Sequence, residues 1–188
     1  MAFLFGAVFT LILICLLFII RLYVVVKTGS RYKPGARGPV SVLVVAGSGG
    51  HTTEMLRLME SLSAAYSPRH YVIADTDRMS EEKICTFESS KHADSQFSIS
   101  RVPRSREVHQ AWISSALSTL DALRASMPLV YRLRPDVKVS IVFVESVCRV
   151  ESLSLSGTLL YPLADLFFVQ WSSLRDKYPK SIFLGRLV

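Results

Sequence analysis

The stretch Gly47-Ser48-Gly49-Gly50-His51-Thr52 holds the residue types that phosphate chemistry asks for. Glycines lack a Cβ, so a ligand can approach the backbone N–H groups closely. A helix that starts there adds the positive end of its dipole. His51 brings an imidazole, which can act as a base or donate a hydrogen bond. The spacing is not a dinucleotide fingerprint, because G-x-G-x-x-G would need a third glycine where Thr52 stands. It is not a P-loop either, since no lysine follows. The plain alternative is a tight turn that packs helix on strand. A histidine beside three glycines has no packing reason, which favours a phosphate or diphosphate site.

A second constellation is Glu145-Ser-Val-Cys-Arg-Val-Glu151. Glu145 directly follows an apolar run that reads as a strand, so it belongs at the carboxyl edge of a sheet, where open α/β sheets bind ligands. Arg149 can pair with a phosphate or with Glu151, and an internal salt bridge among Glu145, Arg149 and Glu151 is the competing reading. Cys148, beside Arg149, has no histidine adjacent in sequence and reads as an inert thiol. His70, His92 and His109 stand alone. The three cysteines, Cys15, Cys85 and Cys148, have neither the number nor the spacing of a disulfide framework or a zinc site, so no metal is expected.

The elements that must position these residues alternate. Ser41–Val45 is a short β-branched run, the pattern of a buried parallel strand. A helix capped by Thr52 or Thr53 follows to about Ala65, with Met55, Leu58, Met59 and Leu62 on one face. Tyr71–Ala74 is a second strand, ending at Asp75 and Asp77, and a polar helix opens at Ser80. Gln96–Ser100 is a weak strand, and Arg101–Arg106 a basic loop. A long helix runs from Glu107 to Leu133, with Pro128 expected to kink or split it. Val137–Val144, Leu166–Val169 and Ile182–Leu184 complete about six strands and four or five helices. This order argues for a Rossmann-like, doubly wound α/β domain with a mostly parallel sheet.

Composition sets the surroundings. The chain has 188 residues, a net charge of +7 and 50% hydrophobic residues, which excludes a disordered chain. Ala2–Ile20 carries no charge and is long enough for a transmembrane signal-anchor. No basic cluster precedes it and no Ala-x-Ala site follows, unlike a cleaved signal peptide. Arg21, Lys27, Arg31, Lys33 and Arg37 follow with no acid before Glu54. By the positive-inside rule the amino terminus is then lumenal and the rest cytosolic. The expected organisation is an anchor over 1–26, a basic Gly/Pro linker over 27–39 and a cytosolic domain over 40–188. The basic residues read as a membrane-surface feature, and no nucleic-acid footprint is present.

The blocks VLVVAGSGGHTTEMLRL, YVIADTD, VPRSREV, RPD, FVESVCRVESLSLSG, FFVQW and KYPKSIFLGRLV follow one another behind that anchor. In this they resemble the asparagine-linked glycosylation fourteen family. The resemblance implies the acceptor half of a split GT-B glycosyltransferase at the endoplasmic reticulum membrane, not active alone and using no cofactor. It implies a soluble partner, asparagine-linked glycosylation protein thirteen, that carries the sugar-nucleotide half. The pair would add the second N-acetylglucosamine to dolichyl-diphosphate-N-acetylglucosamine. The glycine-rich loop would then bind the acceptor diphosphate, and the tail Gly185, Arg186, Leu187 and Val188 would grip the partner. One departure is expected to matter: the family has a strand, a glycine-containing loop and a helix after its RPD element, whereas here Asp136 runs straight into Val137-Lys138-Val139. Two other readings are a self-sufficient anchored nucleotide- or dinucleotide-binding enzyme, with Asp75 at the ribose position, and a scaffold that only tethers.

Overall fold

Two short runs of apolar, β-branched residues seed two separate parallel sheets in the computed structural model of the chain. It describes residues 16, 23, 39–47, 49–91, 96–105, 111–132 and 140–187. The first sheet has the order β1-β2-β3, from β1 (Val42–Val45), β2 (Arg69–Ala74) and β3 (Phe97–Val102). Its parallel register sets Val44 opposite Tyr71 and Tyr71 opposite Ile99. The second has the order β4-β5-β6, from β4 (Val142–Val144), β5 (Leu166–Val169) and β6 (Ile182–Phe183), and is also parallel throughout. Among the residues described from 39 onward, five helices alternate with the strands: α1 (Gly50–Glu60), α2 (Arg78–Lys91), α3 (Trp112–Arg132), α4 (Leu155–Leu160) and α5 (Ser172–Lys177). The α/β class and the parallel pairing are therefore as expected.

The chain divides into two compact units, one built on β1–β3 and one on β4–β6. The loop Ser146–Cys148 and the tail Leu184–Val188 belong with the first unit, although β4 and β6 belong with the second. The first unit packs Val44, Leu56, Met59, Tyr71, Ile73 and Ile84 into one core. Below that core Glu88 of α2 receives hydrogen bonds from Arg69 Nη1, at 3.1 Å, and from the Tyr71 hydroxyl. Burial, reinforced by the Glu88 carboxylate, holds the Tyr71 phenol well above its ordinary range. The second unit packs Leu153, Ala164, Phe167, Val169 and Leu174, with Phe143 stacked on Phe167 at 4.8 Å.

Several details differ from the sequence reading. β1 was expected to be buried on both faces, but Val45 is 65% exposed while Val44 is buried: successive side chains point to opposite faces, and only the face of Val44 packs into the core. α1 begins at Gly50 rather than after a threonine cap, and its side chains at the cap position make no hydrogen bond. Thr52 instead turns inward. Strand β3 runs to Val102 and takes in Arg101, so the basic loop starts later. α3 starts at Trp112 and continues unbroken through Pro128 to Arg132. The strand expected over Val137–Val144 is formed at Val142–Val144, and residues 133–139 lie outside the described residues. The anchor 2–20, the linker up to residue 38, Ser48, His92, His109 and Val188 also lie outside them, except Leu16, which is helical. No helix among the described residues is long and apolar enough to cross a membrane.

Candidate functional site

The loop between β1 and α1 is shaped by three glycines that do different things. A Cβ on Gly47 would lie 2.9 Å from Cδ2 of His51, so the bare backbone there makes room for the imidazole. Gly49 takes φ 69°, in the left-handed region that favours glycine, and turns the chain into α1. Gly50 is exposed and has nothing within 4 Å of where a Cβ would stand. Neither space nor a positive φ requires a glycine at that position.

The loop is pinned from beneath. Thr52 is fully buried, and its hydroxyl bonds the Gly47 carbonyl and lies 2.7 Å from Ser80 Oγ. Ser80 Oγ donates to Asp77 Oδ2 at 2.7 Å, and Ser80 N donates to Asp77 Oδ1 at 3.1 Å. Asp77 thereby caps the start of α2 and ties it to the loop. Asp75, the ribose candidate of the dinucleotide reading, is exposed after β2.

Three side chains surround the glycines. His51 is half-buried, and its Nδ1 lies 3.0 Å from Oε2 of Glu54. Glu54 is 1% exposed, and its other oxygen accepts from the backbone N–H of Val147 at 3.3 Å. Lys83 of α2 donates to Thr53 Oγ1 at 2.9 Å and to the Gly49 carbonyl at 3.4 Å. This sets an ammonium against the loop. Sequence reasoning missed both Glu54 and Lys83. Glu54 had a readable signal, its i+3 spacing from His51 on one helix face. Lys83 had none, because only the packing of α2 on α1 brings it there.

Of the second constellation, Glu145, Arg149 and Glu151 belong to the other unit, and Ser146–Cys148 to the first. Glu145 is buried, and its Oε2 accepts from Ser154 N at 2.9 Å and Ser154 Oγ at 3.1 Å. A Cβ on Gly157 would collide with that same oxygen. Gln170 Nε2 donates to the Glu145 carbonyl at 3.0 Å. Glu145 is thus built into the start of α4. Arg149 and Glu151 are both exposed, and the Glu151 carbonyl accepts from Lys177 at 3.1 Å. Cys148 and Cys85 are exposed free thiols. His70 bonds Ser98 Oγ at 2.7 Å across β2 and β3. In the tail, Gly185 takes φ 86°, Arg186 is exposed, and the Leu187 carbonyl accepts from Arg57 Nη1 of α1 at 2.9 Å. No group of three metal-ligating side chains occurs among the described residues.

The family described as "Oligosaccharide biosynthesis protein Alg14 like" matches residues 42–140 and, separately, 136–187. A human protein named UDP-N-acetylglucosamine transferase subunit ALG14 is 48% identical over 202 aligned positions, which take in 90% of this chain and 92% of that protein. The rat protein of the same name is 44% identical over 206 positions, covering 93% and 94%. That of the yeast Yarrowia lipolytica is 34% identical over 210 positions, covering 97% and 96%. Each alignment is longer than the 188 residues of this chain, so each relative has residues with no counterpart here. No solved structure matches the chain. With the family matched over nearly all of the β1-to-tail region, and relatives aligned along most of both chains, the chain belongs to the Alg14-like family of oligosaccharide biosynthesis proteins.

Proposed function

We propose that the chain is the membrane-anchoring, acceptor-binding subunit of a two-chain UDP-N-acetylglucosamine transferase. The observation that carries the acceptor reading is Gly50. It is a glycine in the first turn of α1 with open space around it, where alanine would favour the helix by up to about 1 kcal/mol. A ligand that approaches the backbone there gives the glycine a reason. The α1 amino terminus, with Gly49, Gly50 and the Lys83 ammonium, suits the diphosphate of a dolichyl-diphosphate sugar.

In this reading His51 takes the proton. The acceptor hydroxyl loses its proton to the imidazole, and its oxygen bonds the anomeric carbon of UDP-N-acetylglucosamine. The bond from that carbon to the nucleotide oxygen breaks, and UDP leaves with the electron pair. One such loop is found among the described residues, and in this reading the sugar nucleotide is bound by a soluble partner subunit, asparagine-linked glycosylation protein thirteen. The tail Gly185–Val188 would meet it. Residues 2–20 would hold the chain in the endoplasmic reticulum membrane, with the amino terminus lumenal and the two sheets cytosolic. Glu145, braced by α4, would shape the second unit, where Arg149 and Glu151 are an exposed basic and an exposed acidic side chain.

The chain would also lack a strand–helix segment that its relatives carry. Two findings support this: the aligned relatives have extra residues, and the family matches in two pieces that meet at 136–140. The test is His51→Ala in the chain restored to its relatives' length by inserting their segment at the junction. Transfer to dolichyl-diphosphate-N-acetylglucosamine should fall by about 10²–10⁴-fold with partner binding retained. An unchanged rate at matched protein level removes His51 from the chemistry.

A further inference from the structure

Glu54 is an acid almost without solvent, on the same face of α1 as His51 and one turn further on. Burying a carboxylate costs several kcal/mol unless hydrogen bonds replace the water it loses. Both oxygens are engaged: Oε2 faces His51 Nδ1 at 3.0 Å, and Oε1 accepts from Val147 N at 3.3 Å. A carboxylate only accepts, so Nδ1 must carry the hydrogen, and Nε2 is left as the nitrogen with the lone pair. A free neutral imidazole prefers the opposite arrangement, with the hydrogen on Nε2. The missing Cβ of Gly47 lets the ring lie where Glu54 can reach it.

We infer that Glu54 is the positioning residue of this site. It fixes His51 in the tautomer whose Nε2 can receive a proton, with Val147 N fixing Glu54 in turn. The inference rests on the reading of His51 given above for which proton is received: that of the acceptor hydroxyl, lost as its oxygen bonds the anomeric carbon and UDP departs. The carboxylate then faces the imidazolium so formed, as the acid of a hydrolase triad does.

The test is ring nitrogen NMR on the full chain in detergent, labelled with 15N-histidine, with the His51 signals identified by their loss in His51→Gln. At a pH where the ring is neutral, Nδ1 should resonate in the protonated range and Nε2 in the bare range. Glu54→Ala should move the population toward the Nε2–H form. Glu54→Gln, which keeps the shape should the alanine variant not fold, should lower the Nδ1–H fraction, because an amide can also present its NH2. A wild-type ring already in the Nε2–H form overturns the inference, as does a tautomer unmoved by either variant. In the restored chain with its soluble partner, Glu54→Gln should lower kcat at least about tenfold with the acceptor KM unchanged. If His51→Ala leaves the rate intact while the tautomer shifts, the positioning stands and the proton-transfer role of His51 falls. If His51→Ala abolishes transfer while the tautomer never moves, the positioning alone falls.

Discussion

Gly50 and Gly157 both sit in the first turns of helices, and they are glycines for opposite reasons. Around Gly50 there is open space; at Gly157 a Cβ would run into the buried carboxylate of Glu145. Gly50→Ala should therefore leave thermal stability unchanged or raise it by up to about 1 kcal/mol, while the KM for acceptor rises. Gly157→Ala should destabilise by about 1–3 kcal/mol, the usual range for overpacking, and show it in the denaturation midpoint. A Gly50→Ala chain with normal acceptor KM would return the loop to a plain turn. The glycines and His51 were legible because their types are unusual after an apolar strand. Glu145 was legible only as a position, the residue after β4. The Ser154 contacts that occupy its carboxylate come from α4, a helix of six residues too short for a readable period.

At the scale of elements, the loop depends on one buried hydroxyl. Thr52→Val keeps the volume and removes the bonds to Gly47 and Ser80. A loss of about 1–3 kcal/mol is expected, and Thr52→Ser should recover most of it. The same residue explains an error of reading. Threonine before a helix is an expected cap, yet here the turn at Gly49 starts the helix three residues earlier than a Thr52 cap would and frees Thr52 to point inward. The apolar face of α1 was read as Met55, Leu58, Met59 and Leu62; Met59 is buried as read, but Leu56 is buried beside it while Met55, Leu58 and Leu62 are only partly so, since the inward Thr52 turns the face toward Leu56. Strands β2 and β5 were plain in their apolar runs. The run read as β4 begins at Val137, of which Val142–Val144 forms the strand, residues 140–141 do not, and residues 137–139 lie outside the described residues. Beneath β2, the phenol of Tyr71 is held above its ordinary value of 10.0. The unfolded chain then gives up that proton first, so stability should begin to fall as pH rises past about 10. Tyr71→Phe should remove that contribution to the alkaline limb in a pH series of thermal melts.

At the scale of the whole molecule, the two ends of the argument can be tested apart. Deleting residues 2–20 should release the chain from membranes, measured by fractionation after a salt wash; a truncated chain still fully membrane-bound would deny that this run is the sole anchor. In cells depleted of their own subunit, the chain as written should fail to support addition of the second N-acetylglucosamine, and the chain with the segment restored at 136–140 should rescue it. Rescue by the unrestored chain would show that a parallel sheet of this family closes without that strand. The alternation of strands and helices was legible along the chain, but the division into two sheets was not. Hydropathy reports that a strand is apolar; which neighbour it bonds depends on strands that are there to be bonded.

The hydrogen bond from Arg57 to the Leu187 carbonyl has a consequence in time. The tail belongs with the unit that begins at β1, so that unit is built from residues near both extremes of the region after the linker. A ribosome adding roughly 5–20 residues per second delivers Leu187 on the order of ten seconds or more after β1. Throughout that interval α1 waits with its guanidinium unengaged by the tail, the second unit is made in between, and chaperones have their longest access to the glycine-rich loop.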